Sequence, residues 1–223
     1  MKIAKKKKRK IINEKNSETF LVISTLFIIC TILSNVLCSK IISIFGMTCT
    51  AGILIFPISY IIGDVLTEVY GYKKAQRTIF YGFAFNLFAT LIFLVAIKLP
   101  YPSFWENQEA FSIILGNTFR VYIASVLGYL IGGFSNSFIM HYIKNNTKIK
   151  FLWFRTIIST IIGEGLDTVI FLTISFFGIY SNNQLLLMIL YQWLFKTLYE
   201  TIFTPLTYLT INKIRKLEGI KNE

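Results

Sequence analysis

The chain has 223 residues, 54% of them hydrophobic and 15% charged, with a net charge of +12. A soluble domain carries charge on about a quarter of its residues, so this balance argues against an ordinary soluble fold and for a membrane protein. The positive charge lies in short clusters between apolar blocks, with no basic face interleaved with aromatics, which argues against a nucleic-acid partner.

Residues 1–19 form a basic tail, with lysine and arginine from Lys2 to Lys15. A basic tail before an apolar run resembles a signal peptide. The run Phe20–Ile44 is longer than the ~7–15 residues of such a segment, however, and no A-x-A site follows. It is expected to be a retained first helix, with Asn35 among its apolar residues. Five more apolar stretches of about 20 residues, the length needed to span a bilayer, follow at Cys49–Val69, Thr78–Ile97, Phe119–Met140, Thr156–Phe177 and Leu185–Ile211. The expected fold class is an all-α integral membrane protein of six transmembrane helices. The transmembrane domain would run over 20–212, with a cytoplasmic tail over 213–223.

Alternate loops carry the basic clusters: Lys73–Arg77, Lys144–Arg155 and Lys213–Lys221, besides the N-terminal tail. By the positive-inside rule both termini face the cytoplasm. The loop Leu99–Gly116, which has Glu106 and Glu109 but no lysine or arginine, is then outside. The three cysteines have no paired spacing and the single histidine builds no His-rich site, so no metal is expected.

Shifting the chain by 100 residues lays Ile58-Ser59-Tyr60-Ile61-Ile62-Gly63-Asp64-Val65-Leu66 over Ile158-Ser159-Thr160-Ile161-Ile162-Gly163-Glu164-Gly165-Leu166. Ser34-Asn35 lies near Ser135-Asn136 at almost the same offset. With three helices in each copy, the second is expected upside down relative to the first. Inverted repeats of this kind occur in secondary transporters, whose sites lie where the repeats meet.

Each charge at the bilayer centre costs at least ~2.5 kcal/mol on insertion scales. Tyr60, Asp64 and Glu68 share one helical stripe. Thr160, Glu164, Asp167 and Thr168 share another, and Gln192, Lys196 and Glu200 a third. Arg120 and Lys40, near helix ends, are expected to snorkel outward. Pro57 and Pro205 are expected to interrupt the second and sixth helices. Intramembrane charges serve either as glue between helices or as a polar site. An excess of acids over bases is poor glue, which favours a site at Asp64, Glu164 and Asp167. Lys196 and Glu200, four apart, are expected to form a supporting structural pair. No nucleotide-binding P-loop, nucleophile elbow or H-E-x-x-H helix is present. The chain is therefore expected to be a transporter and not an enzyme, with no cofactor.

The run from Phe56 to Gly71, with Pro57, Tyr60, Asp64, Glu68 and Tyr70, resembles the F-P-x-x-Y-x-x-x-D-x-x-x-E-x-Y-G signature of the queuosine precursor transporter family, also called the vitamin uptake transporter family. Arg155, Ser159-Thr160, Glu164, Asp167-Thr168 and Phe171 are similar to its fifth-helix pattern. Ser34-Asn35 with Lys40, Ala124-Ser125 with Tyr129, and Lys196 with Glu200, Thr204 and Pro205 resemble its other helices. The chain departs from it at Gly133 and Asn136, where Gln and Asp are common, and at Glu164, where Gln is common.

The resemblance implies uptake of deazapurine bases (cyano or aminomethyl deazaguanine, or queuine) across the cell membrane for tRNA modification. It implies a substrate-binding set of Asn35, Tyr60, Asp64, Glu68, Tyr129, Arg155, Glu164 and Asp167. The partners are then the small-molecule base and the lipid bilayer, with a homodimer open. Small six-helix proteins also serve as the substrate-binding component of ATP-driven, multi-subunit vitamin importers, which is the alternative.

Overall fold

The computed structural model describes residues 2–146 and 152–218, except the side chains of 2–17, 56, 57, 60, 137, 140, 144–146 and 152–156. The elements in chain order are helix α1 (Lys2–Leu37), strands β1 (Ile41–Ile44) and β2 (Met47–Thr50), a 3-10 turn (Ala51–Leu54) and helix α2 (Phe56–Tyr70). Then come α3 (Tyr72–Lys98), α4 (Gln108–Gly116), α5 (Thr118–Asn146), α6 (Leu152–Phe176) and α7 (Asn182–Glu218).

The burial pattern is inside out. On α3 the buried stripe is small or polar, with Thr78, Gly82, Asn86 and Thr90 spaced by four, while Phe80, Phe85, Phe88, Ile92 and Val95 are exposed. In water such an arrangement is unfavourable on both faces; in lipid the apolar face is solvated and the polar stripe finds partners inside. Among the described residues four helical stretches are long and apolar enough to cross a membrane: Glu18–Leu37, Tyr72–Lys98, Gln108–Ile143 and Ile157–Phe176. The protein is a helical membrane protein.

The first two expected helices need correction. The chain leaves α1 at Leu37, not Ile44, and enters α2 at Phe56, not Cys49. Between them lies an antiparallel hairpin, pairing Ile41 with Thr50 and Ile44 with Met47. Ile41, Ile42, Thr48 and Thr50 are β-branched and favour strands. Phe45 (φ 50) and Gly46 (φ 80) supply the positive-φ turn. Pro57 sits in the first turn of α2, where its missing N–H leaves no bond unmade. It starts the helix and does not interrupt it; Pro205 does lie inside α7.

At 15 residues and ~1.5 Å per residue, α2 is shorter than the ~30 Å hydrocarbon core. The hairpin and the 3-10 turn precede it, and their Cys49, Thr50, Ala51 and Ile53 are buried. Non-helical backbone in a membrane protein is tolerated where protein covers it. Gly71, at φ 86, ends α2 and lets α3 begin at the next residue, a turn that a side chain would strain.

The expected boundaries after residues 19 and 212 fall inside the continuous helices α1 and α7. The expected outer loop Leu99–Gly116 contains α4, tied back where Gln108 Nε2 donates to the Ile97 carbonyl at 3.0 Å. Arg120 does not merely snorkel: its guanidinium donates to the carbonyls of Ile174 and Phe177 and so caps the end of α6.

Candidate functional site

The tightest helix contact is between α5 and α6, and glycines make it possible. A Cβ on Gly132 would lie 2.9 Å from the Gly163 carbonyl, and one on Gly163 would lie 2.9 Å from the Asn136 Cβ. A Cβ on Gly128 would meet Asp167 Oδ1 at 2.6 Å. Gly128 and Gly132, four apart, are the small-residue spacing by which membrane helices approach closely. That spacing is legible in the sequence alone.

This approach holds Asp167 at the edge of a cavity of about 210 Å³. The first half of the chain supplies Ser34 from α1, Cys38 just after it, Thr50 from β2 and Phe83 from α3. The second half supplies Ser125 and Tyr129 from α5, Asp167 and Phe171 from α6, and Gln192 and Lys196 from α7. Gly52 and Ile53 of the 3-10 turn close one side. A Cβ on Gly52 would sit 2.6 Å from the Cys38 sulfur, so glycine lets the turn lie against α1.

Across the cavity wall, Lys196 Nζ meets Asp167 Oδ2 at 2.5 Å. Lys196 is 6% exposed, so its charge needs this partner. Lys196, expected in a supporting pair with Glu200, lines the cavity and also reaches across to α6. Gln192 Oε1 accepts from the Thr50 backbone N–H at 3.2 Å and from the Thr50 hydroxyl at 3.0 Å. Thr50 and Gln192 thereby fasten the hairpin to α7, about 15 Å along that helix from its start at ~1.5 Å per residue. The hairpin was missed because Cys49–Val69 reads as one apolar block.

The other expected site residues are dispersed. Tyr129 lines the cavity, with its ring edge-on to Phe83 at 5.4 Å between centroids. Asn35 is buried beside it, donating to Asn86 Oδ1 and accepting from the Ser125 hydroxyl, each at 3.2 Å. Glu164 is buried within electrostatic reach of Glu200, Lys196 and Asp167. Asp64 is exposed on α2 and does not line the cavity. Glu68 bonds Arg215 at 3.2 Å, and the Tyr70 hydroxyl donates to Glu218 at 3.0 Å, so this end of the F-P…Y-G run ties α2 to the end of α7. The side chains of Tyr60 and Arg155 lie outside the described residues.

The model of the family described as "Putative vitamin uptake transporter" matches residues 50–210. The chain belongs to this vitamin uptake transporter family. A Bacillus subtilis (strain 168) protein named "Probable queuosine precursor transporter" is 27% identical over 179 residues, which covers 80% of this chain and 78% of that one. No solved structure matches. The protein is thus a transporter of the vitamin uptake family and not an enzyme. The matched span begins at Thr50 and includes Asp167, Gln192 and Lys196, so most of the cavity wall lies within it.

Proposed function

We propose that this vitamin uptake transporter imports a deazapurine precursor of queuosine across the cell membrane, and that the cavity between its two halves is the substrate site. The observation that carries the reading is the Asp167–Lys196 pair in the cavity wall, beside Gln192 and Thr50 and facing Phe83, Phe171 and Tyr129. A guanine-like edge presents a ring N–H beside an exocyclic amine, and a carboxylate accepts from both. In this reading Asp167 takes that edge, Lys196 and the Gln192 amide donate to the ring's acceptors, and the aromatic rings pack against its faces. At about 210 Å³ the cavity is below the ~300–1,000 Å³ of drug-sized sites, which suits a single small base.

The same reading keeps six spans (α1, α2, α3, α5, α6 and α7) over residues 20–212, arranged as two inverted halves with both termini in the cytoplasm. The broken entry to α2 supports it, because transporter sites are commonly built where a spanning helix is discontinuous. Expression of the chain in cells that cannot make queuosine, supplied with each precursor in turn, tests the reading. Queuosine should appear in tRNA for at least one base and only when the chain is present. If it appears for none, the substrate assignment falls. Co-purification with ATPase subunits would move the protein to the ATP-driven class.

A further inference from the structure

Four helices are tied together at one end of the molecule. Lys74 Nζ on α3 lies 5.2 Å over the Phe20 ring of α1 and 5.8 Å over the Tyr70 ring of α2. The Tyr70 hydroxyl in turn donates to Glu218 of α7. Around this junction Lys73, Lys74 and Arg77, at the start of α3, and Lys213 and Lys216, near the end of α7, are exposed. Among the described residues none of the five meets a carboxylate; the ion pairs are Asp167–Lys196 and Glu68–Arg215.

Helix α1 brings more charge to the same end. It runs beside α3 in the same direction, with the Ser24 and Thr78 hydroxyls 3.3 Å apart. One turn further on, the Phe27 ring lies 3.2 Å from where a Cβ on Gly82 would be. Because α3 starts at Tyr72, this register carries residues 2–17 of α1 past the start of α3. At ~1.5 Å per residue that extension is about 24 Å long. It holds eight lysines and arginines against one acid, Glu14. Lys5 and Arg9, and Lys6 and Lys10, are four apart, and like charges at that spacing oppose a helix. So short a helix is marginal in water even without repulsion. The extension calls for counter-charge from outside the chain.

Depth in the bilayer identifies the source. The spans Glu18–Leu37 and Tyr72–Lys98 begin at this junction, so the basic groups stand at the level of the lipid headgroups. Tyr72, 69% exposed, is an aromatic of the kind that anchors at that level. We propose that this basic end is a binding surface for anionic phospholipid headgroups. Clusters of about four to eight lysines or arginines beside a spanning helix are drawn to anionic leaflets. Lysines meet lipid phosphates as point charges, and the Arg77 fork matches a phosphate bidentately. The headgroups also supply the counter-charge that the α1 extension lacks. The inference stands apart from the transport reading and holds whichever solute is carried.

The test uses the purified full-length chain in phosphatidylcholine nanodiscs, with spin-labelled phosphatidylglycerol or phosphatidylcholine as the probe. At about 0.1 M salt the chain should immobilise the anionic lipid in preference by about fivefold or more, the factor that ~1 kcal/mol represents. The preference should shrink toward equality at about 1 M salt, where the screening length falls to ~3 Å. Lys73→Gln, Arg77→Gln, Lys213→Gln and Lys216→Gln, combined, should remove most of it. Backbone amides of residues 2–17 should exchange hydrogen more slowly once the disc contains phosphatidylglycerol. Equal immobilisation of the two lipids by the wild-type chain overturns the inference, whether or not the variant can be reconstituted. So does a preference that survives high salt, or one that the four substitutions leave unchanged. Slowed exchange in residues 2–17 on adding RNA, but not on adding phosphatidylglycerol, would also overturn it and make the partner a nucleic acid.

Discussion

The segments 58–66 and 158–166 share serine, glycine, an acid and leucine at matching positions, yet they present opposite faces to the interior. On α2 Leu66 is fully buried and Asp64 is exposed; on α6 Leu166 is 38% exposed and Glu164 is buried. Among the described residues Gly63 has nothing within 4 Å of where a Cβ would be, whereas Gly163 has the Asn136 side chain and the Gly132 carbonyl at 2.9 Å. The next position completes the contrast: Thr67 is exposed and bonds the Gly63 carbonyl of its own helix, while Asp167 bonds Lys196 of another. The same letters do different work because each helix turns toward whatever neighbour lets it pack. A glycine-bearing partner was available to α6, and α2 packs instead through Ile62, Val65 and Leu66.

Asp167→Asn breaks this contrast with the largest effect. It removes the charge that compensates Lys196, and losing one partner of a buried pair costs about 3 kcal/mol or more. Uptake should be abolished and protein abundance should fall several-fold, read by queuosine in tRNA and by immunoblot. Combining it with Lys196→Met should restore abundance without uptake. Thr67→Ala, at the matching position of α2, should change neither.

Gly163→Ala comes next. The added methyl must push apart α5 and α6, and overpacking of this kind costs about 1–3 kcal/mol. The melting temperature in detergent should drop. Gly63→Ala should leave it unchanged or raise it, since an open helical glycine replaced by alanine gains up to ~1 kcal/mol of helix propensity. Equal losses at both positions would mean that the two segments pack alike after all.

Asp64→Asn sharpens the comparison at the acids. Because Asp64 lies outside the cavity, the variant should retain more uptake than Asp167→Asn. Loss of uptake as complete as that of Asp167→Asn would return Asp64 to the transport site. The smallest effect is expected at the α2–α7 tie. The Glu68–Arg215 pair is partly exposed, with side-chain exposures of 59% and 25%, and such pairs contribute at most about 1 kcal/mol. Glu68→Gln should therefore shift the melting temperature only slightly.

Much was legible from the residues alone. Long apolar blocks with few charges require a bilayer, because no other solvent tolerates Phe80, Phe85 and Phe88 on an outer helix face. The F-P…Y-G run and the fifth-helix pattern carried the family, which the comparisons bear out. Tyr129 and Asp167 were singled out by their chemistry, and both line the cavity. The hairpin between α1 and α2 was not legible. Its isoleucines, threonines and cysteine are as apolar as a spanning helix, and only burial against α1 and α7 makes a non-helical backbone affordable there. Nor did spacing along α7 show that Lys196 also meets an acid on another helix. A lysine stem is long enough to meet a carboxylate that a neighbouring helix brings near. Here Gly128 and Gly132 let α6 come in, and that approach, a property of two helices together, put Asp167 against Lys196.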